Sequence, residues 1–385
     1  MIITPVEAQY TNYIHTKAAA AGVPLNGTFE LTPCCNMACK MCYVRMTKKE
    51  QEAVAPLKTA EQWLKLGKIA RDHGLLYLLL TGGEPFLHPQ FREIMEGLHR
   101  MGLIISVNSN GTLIDEETIC WLKKVPPVRI NITLYGASNE TYGRLCGNPN
   151  GFTQATRAIR LLTEAGITVK LNCSVTPYNC MDLEKIFEYA NKNNLRIQAT
   201  SYMFPPVRRD ESMIGMNDRF TPEEAAYQSA RIKQYYYGEE AFLKRMEENA
   251  PEAITGEPGD DCPDPSEEGD GVLCRAGKCS FWITWEGRMM PCGMFPEQGF
   301  LNVFETDFEK AWDRVHSLIP KIHLPGACAA CKIKDACKSC AAMVYTETGS
   351  FSQIPQYRCR MAKAYPEQCR KLEKEIREKR KENPQ

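Results

Sequence analysis

The sequence predicts an α/β chain of repeated strand–helix units around a parallel sheet, followed by a smaller cysteine-rich region. Two observations carry this expectation. From about residue 28 to residue 201, short apolar runs alternate with stretches of helical period, the pattern of a parallel sheet with crossover helices. In the last third, thiols bunch in CxxC-like groups, which is the spacing of metal or cluster ligands.

Six units are expected. Strands are predicted over 28–32, 75–80, 103–107, 128–134, 169–175 and 195–200, with helices near 60–72, 90–101, 116–124, 152–165 and 183–193. In parallel barrels the chemistry sits on loops that leave the C-terminal ends of strands. The unusual residues fall at those places: Cys35, Cys39 and Cys42; Gly82-Gly83-Glu84-Pro85; Asn108 to Thr112; and Tyr135-Gly136. One face of the sheet is therefore expected to carry the site.

Composition narrows the class. A chain of 385 residues with 43% hydrophobic content can bury a large core and has room for two domains. Lys plus Arg and Asp plus Glu each total 47, so no electrostatic footprint for nucleic acid or an anionic membrane is expected. The longest apolar run, Leu75 to Leu80, is too short to span a bilayer, and residues 1–27 lack a signal-peptide pattern. A cytoplasmic protein is expected, in which 18 cysteines argue for metal or cluster ligation rather than disulfides.

The segment Cys35-Asn-Met-Ala-Cys39-Lys-Met-Cys42 places three thiols on one loop. Three thiolates can close around one iron–sulfur cluster, and because such clusters normally take four protein ligands, one iron is left open. A zinc site with an unseen fourth ligand, or chance cysteines, gives a similar pattern. The Gly82-Gly83-Glu84-Pro85 turn lets the backbone approach a ligand closely, with exposed N–H and C=O groups suited to an amino group. By itself such a turn is an ordinary strand-to-helix connection in which Glu84 helps to cap the helix. Its place one unit after the thiols favours the ligand role.

With both motifs in place, the chain resembles the radical S-adenosylmethionine (SAM) superfamily over roughly residues 28–201. The resemblance implies a partial (β/α)6 TIM-like barrel in which Cys35, Cys39 and Cys42 hold a 4Fe-4S cluster and the open iron chelates the methionine end of SAM. It further implies that Tyr43 lies near adenine, and that Gly82, Gly83 and Glu84 face the methionine amino group. Thr133 and Arg144 sit where relatives bind the ribose and carboxylate. The implied chemistry is one-electron cleavage of SAM to a 5′-deoxyadenosyl radical that takes hydrogen from the substrate.

Beyond residue 201 the pattern changes. Residues 203–210, with paired prolines and Arg208-Arg209, read as a loop that touches substrate or lies on the surface with a solvated Arg pair. Thr221-Pro-Glu-Glu opens a helix expected to run from about residue 222 towards 249, and 251–269 has the composition of a flexible connector. The expected organisation is an N-terminal extension (1–27), the barrel (28–220), a bridging helix and linker (221–270), a cysteine-rich domain (271–370) and a charged, solvated helical tail (371–385).

The C-terminal thiols resemble the SPASM extension of radical SAM enzymes that modify peptides and proteins, which holds two auxiliary 4Fe-4S clusters. That resemblance assigns Cys328, Cys331, Cys337 and Cys359 to the distal cluster, and Cys274, Cys279, Cys292 and Cys340 to the one nearer the active site. Two departures are visible: Cys337-Lys-Ser-Cys340 has two intervening residues where three are usual, and relatives often have serine at the place of Cys279. A zinc ribbon is the alternative reading of 328–340. Cys34, Cys120, Cys146, Cys173, Cys180, Cys262 and Cys369 read as core or surface thiols, with Cys34 and Cys262 as substitute ligands.

The function these features imply is maturation of a ribosomally made peptide by a crosslink, a thioether or epimerisation. The expected partners are the peptide or protein substrate and an electron donor such as flavodoxin or ferredoxin. Residues 1–27 are too short for a leader-binding domain, so docking is expected to use barrel loops or a separate leader-binding protein. Two alternatives stand beside this reading: an anaerobic sulfatase-type maturase that makes formylglycine, and a non-catalytic zinc-binding protein. In sulfatase maturases an aspartate adjoining the thiol that corresponds to Cys292 serves as base; here that position is Gly293, which has no side chain to take a proton.

Overall fold

The computed structural model describes residues 5–248, 271–272 and 274–382. The connector expected over 251–269, with Cys262, lies outside the described residues. All six expected strands form within a few residues of their predicted limits: β1 (Asn26–Glu30), β2 (Tyr77–Thr81), β3 (Ile104–Ser109), β4 (Arg129–Thr133), β5 (Val169–Ser174) and β6 (Arg196–Thr200). Each pairs in parallel with the next, so their C-terminal ends share one rim.

Helix α1 (Pro5–Ala21) precedes the sheet, and α2 (Lys48–Val54) follows the thiol loop. The layer outside the strands comprises α3 (Ala60–Asp72), α4 (Phe91–Arg100), α5 (Glu116–Leu122), α6 (Asn139–Cys146), α7 (Gly151–Glu164) and α8 (Leu183–Lys192). Their starts are capped from the sequence: Thr59 forms a reciprocal capping box with Gln62, while Asp115 and Ser138 accept the first free N–H groups of α5 and α6. Phe29, Trp63, Leu78, Leu80, Ile94 and Ile130, all at 2% exposure or less, fill the space between strands and helices. Removing one such large side chain costs about 2–5 kcal/mol.

The sheet does not stop at six strands. The hairpin of β7 (Ser280–Ile283) and β8 (Met289–Met290) joins it, with β7 parallel to β1, giving the order β6-β5-β4-β3-β2-β1-β7-β8. The C-terminal region is thus hydrogen-bonded directly to the first barrel strand. At the opposite edge, the Tyr236 hydroxyl accepts from the Ala199 N–H at 2.6 Å and donates to the Ile197 carbonyl at 3.3 Å, which covers exposed groups of β6.

The helix expected over 222–249 is two helices, α9 (Pro222–Tyr237) and α10 (Glu239–Glu247), broken at Gly238, whose φ of +84° favours glycine. The C-terminal region adds α11 (Phe308–Leu318), α12 (Gly326–Ala329), α13 (Lys334–Cys337), α14 (Ala341–Thr348) and α15 (Gln356–Glu382). Helix α15 runs unbroken through residue 370 and packs along α9, burying Cys369, Leu372 and Ile376. The charged residues beyond 370 therefore belong to a half-buried helix whose apolar stripe the charge pattern concealed. No helix among the described residues is long and apolar enough to cross a membrane.

Candidate functional site

The thiol loop leaves the C-terminal end of β1 and is tied down at three points. Ala38 N–H donates to the Cys146 carbonyl at 2.7 Å and Lys40 N–H to that of Leu145 at 3.1 Å, so the loop rests on the end of α6, while Met46 N–H closes its base on the Pro33 carbonyl at 2.9 Å. N–H groups are aimed at the sulfurs: Met37 N at Cys35 Sγ (3.4 Å), Arg45 N at Cys42 Sγ (3.3 Å) and Asn110 Nδ2 at Cys35 Sγ (3.7 Å). Burial pushes all three thiols above their ordinary range, Cys35 to about 12; for Cys39, hydrogen bonding to the Cys146 thiol is the larger cause. In metal-free protein they therefore hold their protons at neutral pH, and ligation must displace those protons.

The glycine pair has a steric reason visible only in three dimensions. A Cβ on Gly82 would lie 2.4 Å from the Thr32 carbonyl oxygen, and one on Gly83 2.4 Å from that of Cys34. Both glycines press the end of β2 against the root of the thiol loop, held by Gly83 N–H to Thr32 (2.6 Å) and Glu84 N–H to Cys34 (2.8 Å). The Glu84 carboxylate is fully buried and accepts from Asn110 N–H (2.7 Å), Ser109 Oγ (2.9 Å) and Phe86 N–H (3.2 Å). Burial raises it to about 7 despite those donors. Glu84 thus caps the short turn Pro85–Leu87 and anchors the 109–112 loop, from which Asn110 reaches Cys35.

Thr133 ends β4 at the same rim, its carbonyl accepting from the Tyr142 hydroxyl at 3.2 Å. Arg144 reaches the loop leaving β5: Nη2 donates to the Tyr178 carbonyl at 3.0 Å, beside the thiol loop whose Lys40 lies 3.8 Å from the Tyr178 ring; Nη1 lies 3.8 Å from Glu140, and the side chain is 41% exposed. Tyr43 lies half-buried beside Arg208 of the loop leaving β6, and desolvation raises its hydroxyl above the ordinary tyrosine range. Of the two readings of 203–210, the solvated Arg pair holds only for Arg209, which is exposed; the Arg208 side chain is buried in an ion pair with Glu30.

The C-terminal thiols form two groups. Cys292, pushed to about 12 by burial, has Cys274 and Cys340 as thiol neighbours. Cys328, Cys331, Cys337 and Cys359 lie within mutual repulsion range. Cys279 is fully buried in a pocket with Ala18 and Leu25, beside Val23 and Tyr77, at the start of β7. Sequence reasoning missed the Cys146 thiol beside Cys39; its place at the end of α6 gave no local signal.

The donor chemistry fits iron–sulfur clusters. Sulfur dominates the ligand set, and of the four buried side-chain N–H groups without an acceptor among the described residues two belong to arginines beside thiols: Arg45 Nε, whose charge acts on Cys39, and Arg358 Nε, whose charge acts on Cys340 and Cys359. Cluster sulfides are acceptors for such donors. Among the described residues no three His, Cys, Asp or Glu side chains converge closely enough for a single metal ion.

A rim of strand ends carrying three thiols, a glycine pair and a buried glutamate defines an enzyme that uses SAM and an iron–sulfur cluster. Residues 29–190 match the radical SAM superfamily. That segment is a radical SAM domain, and the chain is a radical SAM enzyme. It is 27% identical over 329 residues to the antilisterial bacteriocin subtilosin biosynthesis protein AlbA of Bacillus subtilis, covering 81% of this chain and 68% of that protein. It is 26% identical over 352 residues to the AdoMet-dependent heme synthase of Methanosarcina barkeri, covering 88% and 97%. In fold it is similar to Streptococcus suis SuiB bound to its precursor peptide SuiA, with a TM-score of 0.64 at 16% identity over 90% of this chain and 80% of that one.

Proposed function

We propose that this enzyme modifies a ribosomally made peptide by radical chemistry, with Cys35, Cys39 and Cys42 holding the SAM-binding cluster and the C-terminal thiols holding two more. When bound, the reduced catalytic cluster supplies the electron that cleaves SAM, and the resulting radical takes hydrogen from the substrate. The observation that carries this reading is the placement of a C-terminal thiol loop at the barrel rim: Arg208 bonds both Glu30, at the end of β1, and the carbonyl of Gly293, next to Cys292. A site flanked by a second thiol set suits a bulky substrate held between barrel and C-terminal region; AlbA is named for the biosynthesis of a bacteriocin, and SuiB was solved bound to a precursor peptide.

The residues have separate tasks in this reading. The 82–84 turn braces the thiol loop, Tyr43 walls the nucleoside side, and Glu84 and Asn110 orient Cys35. Cys274, Cys292 and Cys340 hold the nearer auxiliary cluster, while Cys279, assigned to it by the resemblance, packs against Ala18 and Leu25 and would have to leave that pocket to serve as fourth ligand; Cys328, Cys331, Cys337 and Cys359 hold the other. Formylglycine chemistry is disfavoured on steric grounds as well as by composition. A Cβ on Gly293 would lie 2.9 Å from the Trp282 indole, so a base cannot be carried there without moving that ring.

The heme synthase relative, nearly all of whose length is covered, supports a second reading in which the substrate is a porphyrin. The test is anaerobic reconstitution followed by SAM, dithionite and either a short peptide co-encoded with the enzyme or an iron porphyrin. About 12 irons per chain and a mass change on the peptide are expected. Turnover of the porphyrin with an unaltered peptide overturns the peptide assignment.

A further inference from the structure

Segments far apart in the chain meet at one guanidinium. Arg208, on the loop leaving β6, has a side chain only 5% exposed and grips Glu30 at two points, Nη1 to Oε2 at 3.1 Å and Nη2 to Oε1 at 3.2 Å. Its Nε donates to Glu297 Oε1 at 3.0 Å, and Nη1 also donates to the Gly293 carbonyl at 3.2 Å. The guanidinium carbon lies 5.8 Å from the centre of the Tyr43 ring, the residue that follows Cys42. Trp282 Nε1 donates to Glu30 at 3.1 Å and closes the other side of the carboxylate.

Stability alone is a weak reason for this arrangement, because well-packed apolar residues in place of a buried ion pair are often as stable or more so. What the planar fork supplies is geometry: several fixed donor directions on one rigid group. Here those directions point to the end of β1, the Cys292 loop and the segment carrying Glu297, while the flat cation flanks Tyr43. Lysine, a point charge on a flexible stem, cannot satisfy the same set.

We propose that Arg208 is a positioning residue that sets the gap between the Cys42–Tyr43 turn and the Cys292 loop, so that one side chain holds the SAM site and the nearer C-terminal cluster in a single geometry. The inference rests on the cluster reading given above. It requires one substitution to disturb two sites: the wall behind Tyr43, and the separation of the catalytic cluster from the cluster on Cys292.

The test uses the full chain, anaerobically reconstituted, with Arg208→Lys and the paired variant Glu30→Gln/Arg208→Gln. The pair removes both charges, so neither is left buried alone and folding is protected if the single variant fails. Iron content and circular dichroism establish loading and fold. SAM affinity is then measured by equilibrium dialysis, and the distance distribution between the two reduced clusters by pulsed electron paramagnetic resonance. Both variants are expected to bind SAM about tenfold more weakly and to broaden that distribution relative to wild type. Folded, fully loaded variants with the wild-type distribution overturn the proposal. A wild type that takes up only about four irons refutes the C-terminal cluster reading instead; SAM affinity alone then decides the role of Arg208, and an unchanged value overturns it.

Discussion

The two thiol regions of this molecule are held by different means. The loop carrying Cys35, Cys39 and Cys42 is clamped between β1, the glycine turn after β2, the 109–112 loop and the end of α6, all resting on the barrel core. Cys328, Cys331 and Cys337 instead sit on or beside two four-residue helices, α12 and α13, tied mainly by local bonds such as Cys331 N–H to Cys328 and Cys337 N–H to Ile333. Helix α12 contributes no buried residue, and Cys359 arrives from α15. A site braced by a core is shaped before its ligand binds, whereas a site built from short turns draws much of its order from the metal that crosslinks it.

Cysteine substitutions should break the comparison most sharply. Replacing Cys35, Cys39 and Cys42 with Ala is expected to remove about a third of the iron and all reductive SAM cleavage while the barrel keeps its secondary structure. Replacing Cys328 and Cys331 should also remove about a third of the iron, and should preserve SAM cleavage in the absence of substrate. Iron assay and 5′-deoxyadenosine release check both. Retained SAM cleavage in the triple variant sinks the catalytic assignment.

A smaller effect comes from Glu84, which tests how much the barrel side contributes to bracing the loop. Its carboxyl is raised from 4.5 to about 7 in the folded chain by burial. Between those values the unfolded chain has lost the proton that the folded chain retains, so stability falls as pH rises through the window, by up to about 3 kcal/mol. Glu84→Gln keeps an acceptor for the Asn110 N–H and should flatten that slope. Denaturant midpoints of the metal-free protein at pH 4.5 and 7.5 measure it, and an equal slope in both proteins rejects the role given to burial.

The smallest effect is expected at Arg144. Its exposed side chain and long contact with Glu140 predict that Arg144→Ala changes stability by no more than about 0.5 kcal/mol. Because Arg144 also bonds the Tyr178 carbonyl at the rim, SAM affinity decides its role, and an unchanged value rejects carboxylate binding. A tenfold loss in equilibrium dialysis would support the carboxylate-binding role that its motif suggested.

How much of this was legible beforehand depended on whether the signal was local. The six strands could be read because fully buried parallel strands are short apolar runs, and the rim motifs could be read because each loop directly follows its strand. The grouping of the C-terminal thiols followed family spacing. The break at Gly238 was available as a glycine in a helical pattern, but nothing local separates a tolerated glycine from one with positive φ. The buried stripe of α15 was masked by Lys, Arg and Glu at most of its positions.

By itself, then, the sequence determined the repeated strand–helix units, the rim that carries the loops and the sulfur chemistry of the site, since these rest on periodicity and on residue types next to their strands. Only the tertiary structure decided what those residues touch. The reason for two glycines is the backbone of Thr32 and Cys34, about fifty residues away in sequence; Glu84 faces Asn110; β7 joins β1 across some 250 residues; and Arg208 is buried against Glu30 instead of solvated. Contacts between distant segments depend on how the strands register and how the C-terminal region closes on the barrel. Local pattern carries no record of that geometry, because a side chain's environment is set by whichever chain segment packs beside it.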